Sequence, residues 1–179
     1  MKIALFTLTK NRRAYTKQLI DSLNKRTKME YDHFIVDQGS DDDTLEFLRD
    51  YPQSLGRRYI YPLGRNIGIN RAVNFATDRM QHDVIIKIDN DISVETDDWL
   101  IKCLTSMYDK LLLSPYIRGL IENRDGVKRT GKKLEGNIGL SHAIGGMVMI
   151  GRRKAWTTDS GGWTTPSAFH AGGDMDFCS

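Results

Sequence analysis

The run Asp83-Val84-Ile85-Ile86-Lys87-Ile88-Asp89-Asn90-Asp91 sets a short strand rich in branched apolar residues against two carboxylates separated by one residue. A strand that breaks into Asp-Asn-Asp carries both acids to the carboxyl edge of a sheet, where open α/β folds place their ligands. Two hard oxygen donors suit a divalent cation. Mg²⁺ or Mn²⁺ held this way keeps several waters and takes its other oxygens from substrate phosphates, so the pattern points to a metal-bridged nucleotide diphosphate. An acidic turn is the plain alternative, because Asp and Asn are common turn residues.

Outward from this strand, helix and strand patterns alternate. Lys2 to Leu8, Tyr31 to Val36 and Arg58 to Tyr61 read as strands. Tyr15 to Asn24 reads as an amphipathic helix with Tyr15, Leu19 and Leu23 on its core side. Thr44 to Asp50 reads as a short helix opened by Asp41-Asp42-Asp43, acids placed against the positive end of its dipole. Ile69 to Met80 is a further helix. This βαβα order predicts a parallel sheet with helices on its faces. Beyond Asp91 the rhythm changes: Asp98 to Tyr108 reads as a helix, whereas Tyr116 to Ile121 and Ile144 to Ile150 read as strands around the polar stretch 123–137. The second half is therefore expected to be a mixed sheet, with neither an internal repeat nor a dividing linker.

The chain has 179 residues, 40% hydrophobic and 27% charged, enough for one domain with a real core. A net charge of +3 fits an anionic small substrate and falls short of the basic stripe of a nucleic-acid binder. Cys103 and Cys178 form no metal-ligand spacing and read as reduced structural thiols. No apolar run has the length of a membrane span, and the stretch Ile3-Ala4-Leu5-Phe6 is too short for a signal-peptide core. A cytoplasmic protein is expected.

Several segments then fall into one order. Thr9-Lys10-Asn11-Arg12, Val36-Asp37-Gln38-Gly39-Ser40-Asp41-Asp42-Asp43-Thr44, Arg65-Asn66-Ile67-Gly68 with Arg71-Ala72-Val73-Asn74, and Asp89-Asn90-Asp91 resemble the nucleotide-binding half of family 2 glycosyltransferases with the GT-A fold. Gly145-Gly146, Gly161-Gly162-Trp163 and Gly172-Gly173-Asp174-Met175-Asp176-Phe177 resemble the acceptor half. The resemblance covers nearly the whole chain. It implies a single GT-A catalytic domain over 1–179, with a mostly parallel Rossmann-like sheet, residues 1–91 binding nucleotide and 92–179 facing the acceptor.

The resemblance also implies roles. Thr9 and Asn11, after the first strand, can hydrogen-bond a base or ribose, although either also suits an ordinary helix N-cap. Asp37 is implied to accept the imide N–H of a uracil-like base, which favours a UDP-sugar. Arg65 and Arg71 flank a glycine turn, and either could meet the pyrophosphate; Arg65 is the closer match. Asp91 is implied to hold Mn²⁺ or Mg²⁺ directly, with Asp89 on the ribose or a metal-bound water. Gly145, Gly146 and Trp163 belong to the sugar or acceptor side, where Trp163 stacks on a sugar or fills the core. His142 and His170 read as surface or hydrogen-bonded residues, His170 being the better placed for a metal.

For catalysis, the family pattern has an acidic pair, usually Glu-Asp, whose Asp is the general base of a single inverting displacement. Gly173 stands where Glu is usual, and Asp174 matches the base; Asp176 is the second candidate. The basic, glycine-containing stretch 123–133 reads either as a mobile lid or as a solvated hairpin. Because family members continue past such a point, the chain is expected to be a catalytic core with room for further domains beyond residue 179. The implied partners are a nucleotide diphosphate sugar and a glycan or other hydroxyl acceptor. Two other readings are a sugar-1-phosphate nucleotidyltransferase, against which Thr7-Leu8-Thr9-Lys10-Asn11 lacks the glycine-rich loop, and a non-catalytic nucleotide-sugar binding module. The missing G-x-G-x-x-G after the first strand argues against a dinucleotide-dependent dehydrogenase.

Overall fold

Branched and aromatic residues in strands, alternating between two faces, need helices on both sides to bury them. The chain supplies these in order, in a computed structural model that describes residues 1–107, 112–115, 132–133, 139–140 and 146–156. The elements are β1 (Ile3–Thr9), α1 (Arg13–Arg26), β2 (Asp32–Asp37), α2 (Thr44–Asp50), β3 (Arg58–Pro62), α3 (Ile69–Thr77), β4 (Val84–Ile88) and α4 (Trp99–Thr105). They continue with β5 (Leu112–Leu113), β6 (Lys132–Lys133), β7 (Gly139–Leu140) and β8 (Val148–Arg152), which runs into a short 3₁₀ turn at Arg153–Ala155.

Six strands form one sheet in the order β3-β2-β1-β4-β8-β5, and β6 pairs with β7 separately. β1 runs parallel to both β2 and β4, and β2 parallel to β3. β8 lies antiparallel between β4 and β5, with Ile88 opposite Val148. The nucleotide half is thus parallel and the later half turns the sheet mixed, as the change of rhythm after Asp91 predicts.

One face carries Ile3, Leu5, Val84, Ile86, Val148 and Ile150 against Leu19 and Leu23 of α1 and Trp99, Leu100 and Cys103 of α4. The opposite face carries Ala4, Phe6, Phe34, Val36, Ile85 and Met149 against Val73 and Ala76 of α3, with Trp156 edge-on to Phe6. Burial pushes the Cys103 thiol up to about 11, so this cysteine is an inert core residue. Among the described residues no helix is long and apolar enough to cross a membrane.

The structure departs from the sequence reading at several ends. Tyr15 is 52% exposed and Thr16 takes its place in the core, because α1 begins at Arg13 and its buried stripe runs Thr16, Leu19, Ile20, Leu23. α3 stops at Thr77, where the Arg79 and Met80 amides donate to the carbonyls of Ala76 and Thr77, three residues back, in a tighter 3₁₀-like turn. α4 is confined to Trp99–Thr105, since Asp98 takes a left-handed conformation at φ 57°. β8 starts at Val148, later than Ile144, because Gly146 and Met147 form a turn. The expected strand Tyr116–Ile121 and the stretch 123–131 lie outside the described residues.

Candidate active site

In the strand order, β2 and β3 lie to one side of β1 and β4 to the other, so the order reverses between β1 and β4. A crevice opens at the carboxyl ends of strands at such a switch point. Here it is a cleft of about 470 Å³, lined by residues that follow β1 (Lys10, Arg12), β2 (Gln38), β3 (Asn66, Gly68) and β4 (Asp89, Asn90, Asp91), and closed by Gly146 and Met147.

The wall after β1 is a sharp corner. Asn11 and Arg12 both have positive φ, 56° and 60°, a conformation that non-glycine residues adopt only when neighbours hold it. Three hydrogen bonds hold it: the Asn11 amide donates to Ser40 Oγ at 2.7 Å, the Asp41 amide donates to Asn11 Oδ1 at 2.9 Å, and Thr9 Oγ1 donates to the Asn11 carbonyl at 3.2 Å. Neither Thr9 nor Asn11 caps α1 through its side chain; Arg12 is the N-cap residue. The corner swings Arg12 across to Asp91, where Nη1 meets Oδ2 at 3.2 Å. Asn90 points inward instead and reaches Thr9 Oγ1 and Thr16 Oγ1 at 3.4 and 3.3 Å, which locks the β4 tip onto α1.

Asp37 is 0% exposed and does not line the cleft. Its Oδ1 accepts the amides of Gly39 and Ser40 at 3.1 and 2.9 Å, and its Oδ2 accepts the Ser40 hydroxyl. This carboxylate therefore braces the loop that forms the cleft's second wall. Gln38, the next residue, faces the cleft, with its amide nitrogen on the Thr9 carbonyl at 2.8 Å and its Oε1 accepting from the Ile67 amide at 3.3 Å. Gly39, at φ 80°, packs directly on the Gly64–Arg65 backbone. Arg65 and Arg71 are exposed and lie outside the cleft lining, while Asn66 shapes the turn by accepting the Gly68 amide at 2.8 Å.

Sequence reasoning passed over two residues that the structure brings to this site. Arg12 ends the motif Thr9-Lys10-Asn11-Arg12, in which the sequence pattern gives it no role. Lys87 sat inside an apolar run, yet it is 5% exposed and its Nζ donates to Asp89 Oδ1 at 2.6 Å and to the Gly146 carbonyl. A charged residue interrupting a buried strand next to an acid pair was the available signal. Gly145, Trp163, Asp174, Asp176, His142 and His170 lie outside the described residues.

The donor set can be weighed against a metal. Among the described residues no group of three or more His, Cys, Asp and Glu side chains gathers. Among the described residues of the cleft, Asp89 and Asp91 are the carboxylates, a donor set that fits Mg²⁺ or Mn²⁺ completed by water and phosphate and does not fit a closed structural zinc site.

The glycosyl transferase family 2 model matches residues 5–157, which takes in every wall of this cleft. The chain belongs to that family. As a family 2 member it shares the GT-A fold with S. aureus TarS 1–349, at 19% identity and TM-score 0.76, covering 99% of this chain and 54% of that one. The same TarS fragment in complex with UDP-GlcNAc superimposes at TM-score 0.75 and 20% identity, over 99% of this chain and 52% of that one. The mannosyltransferase PcManGT from Pyrobaculum calidifontis, in complex with GDP-Man and Mn²⁺, gives TM-score 0.74 at 16% identity, over 98% and 50%. This family 2 chain thus spans about half the length of those structures. No curated protein matches it in sequence.

Proposed function

We propose that this chain is the core of a metal-dependent, inverting glycosyltransferase that moves a sugar from a nucleotide diphosphate sugar to a hydroxyl acceptor on a glycan or similar molecule. One observation carries the reading: the loops after all four parallel strands converge on a single cleft that Asp89-Asn90-Asp91 helps to line. A donor lying in that cleft finds Thr9 and Gln38 for its base and ribose, with Asn11 in the corner behind them, and cationic groups for its diphosphate at Lys10 and Arg12. The complexes of similar proteins with UDP-GlcNAc and with GDP-Man and Mn²⁺ support a nucleotide sugar and a divalent cation here.

Asp91, with Asp89 beside it, would hold Mn²⁺ or Mg²⁺. When bound, the cation supplies charge neutralisation for the departing nucleoside diphosphate. UDP-sugars are the favoured donors, with Asp37 as the group that reads the imide through the one acceptor position of about four that the loop leaves. Because this carboxylate is 0% exposed, the Gly39-Ser40 loop must shift when the base enters. Arg65, at the rim, is a further contact for the phosphates or base. On the acceptor side, with Gly145, Gly146 and Trp163, Asp174 accepts the acceptor hydroxyl proton as that oxygen bonds the sugar's anomeric carbon and the phosphate oxygen leaves from the opposite face. Asp176 is the alternative base. A cytoplasmic setting goes with this reading, since nucleotide sugars are anionic small molecules.

Calorimetry of UDP with and without Mn²⁺ tests the assignment. Asp91→Ala should keep the fold and lose Mn²⁺-dependent UDP affinity, because Asp91 is exposed and its pair with Arg12 adds little stability. Unchanged Mn²⁺-dependent binding in that variant would remove Asp91 from the site.

A further inference from the structure

β4 is buried along its whole length, yet its fourth residue is a lysine. Strand alternation places Lys87 on the same face as Ile85, where α3 covers the sheet. An ammonium there survives only where charge and carbonyl oxygens replace water. Asp89 Oδ1 at 2.6 Å and the Gly146 carbonyl do so. The two acids of Asp89-Asn90-Asp91 are similarly exposed, 37% and 42%, and differ in their partners: Lys87 is only 6% exposed, Arg12 57%. A pair with an exposed arginine is weak and screened by salt, and one with a buried ammonium is screened much less.

We propose that Lys87 is the positioning residue that divides the labour between the two acids. It neutralises Asp89 and pins its carboxylate to the turn before β8, and so leaves Asp91 as the carboxylate open to a cation. Lys87 also ties the edge of the nucleotide half to the carbonyl of Gly146, which closes the far side of the cleft, so the two sides share one buried charge. This rests on the proposed donor site and names the device that makes its acids unequal.

The test is Mn²⁺ titration of the whole chain without nucleotide, followed by calorimetry and by the electron spin resonance of free Mn²⁺, with UDP affinity and thermal unfolding measured alongside. Lys87→Met uncovers a second carboxylate, so Mn²⁺ should bind about three- to thirtyfold more tightly, the order expected of one added charge a few ångström away in a half-exposed site. UDP affinity in the presence of Mn²⁺ should fall, because Asp89 can now turn. A purely structural lysine would lower the melting temperature without tightening Mn²⁺. Should Lys87→Met fail to fold, Asp89→Asn is compared with the Lys87→Met/Asp89→Asn pair. Removing the ammonium in that background should again tighten Mn²⁺ by about threefold or more. Equal Mn²⁺ affinities in either comparison overturn the proposal while leaving the donor site standing. A wild-type chain that binds neither Mn²⁺ nor UDP overturns both.

Discussion

Asp37 is the residue at which loop bracing and base reading can be pulled apart. Replacing it with Ala strands two backbone amides, Gly39 and Ser40, and the Ser40 hydroxyl, around a side chain that is 0% exposed. Each stranded amide costs about 1–3 kcal/mol, and the hydroxyl can turn to find another acceptor, so the loss should be about 4 kcal/mol. Against a total stability of about 5–15 kcal/mol that is a large fraction, and at about 2–4 °C per kcal/mol it lowers Tm by roughly 8–16 °C. Asp37→Asn keeps one carbonyl oxygen for the two amides and turns its NH₂ toward Ser40 Oγ, so it should lose only about 1 kcal/mol. Urea unfolding followed by circular dichroism gives both numbers. The Asn variant, still folded, then goes into competition between UDP, dTDP, GDP and ADP. A carboxylate that also reads an imide N–H should lose its uracil preference on becoming an amide that presents a donor. Asp37→Ala within about 1 kcal/mol of the wild type would refute the bracing argument, and undiminished uracil preference in Asp37→Asn would strike Asp37 from the base pocket.

Three further outcomes are expected. Asp174→Asn should reduce turnover by about 10²- to 10⁴-fold with donor affinity intact, while Asp176→Asn stays near wild type; the reverse pattern in steady-state kinetics moves the base to Asp176. Burial, with help from Arg58, holds the His33 imidazole down to about 3, so the folded chain stays unprotonated there while the unfolded chain takes up a proton below about 6.5. Stability should therefore fall as pH drops from 6.5 toward 3, by up to about 1.4 kcal/mol per unit, and His33→Gln should flatten that slope in urea titrations at successive pH values; parallel slopes would show that His33 does not carry it. Gly39→Ala puts a Cβ 2.8 Å from the Arg65 Cα and nitrogen at φ 80°, whereas Gly64→Ala at φ 69° meets open space. The first should cost about 2–4 kcal/mol and the second about 1 kcal/mol in thermal unfolding, and equal losses would refute the close approach.

Much of the nucleotide half was legible because its signals are local. α2 was read with its observed bounds, behind three acids that open it, and β4 was read as a branched apolar run that Asp89 halts; each carries its own boundary signal. Loops that follow strands marked where a cleft would open, but Asp37 and Arg65, read from such loops, lie outside its lining. What the sequence hid depends on distant partners. Lys87 reads as a blemish in a strand until the Gly146 carbonyl, 59 positions away, is placed over it. Asp37 looks like an open acid at a strand end, and only the fold of Gly39-Ser40 back onto it shows three of its acceptor positions filled. Tyr15 fits a helical stripe on paper, but Arg12 lies 5.8 Å from its ring centroid on the outside of α1.

The position of β4 has a consequence for synthesis. Its first edge can pair with β1 as soon as residue 88 has left the ribosome, but its second edge waits for β8, which sets Val84 opposite Arg152. Throughout that interval a flat run of branched residues presents unpaired amides and carbonyls, the kind of edge that recruits other chains. Any piece of the chain that stops after α4 and before β8 keeps that edge open for good. Such a fragment, cut to isolate nucleotide binding, should aggregate strand to strand through Val84–Ile88, and supplying residues 146–156 as a separate peptide should suppress it.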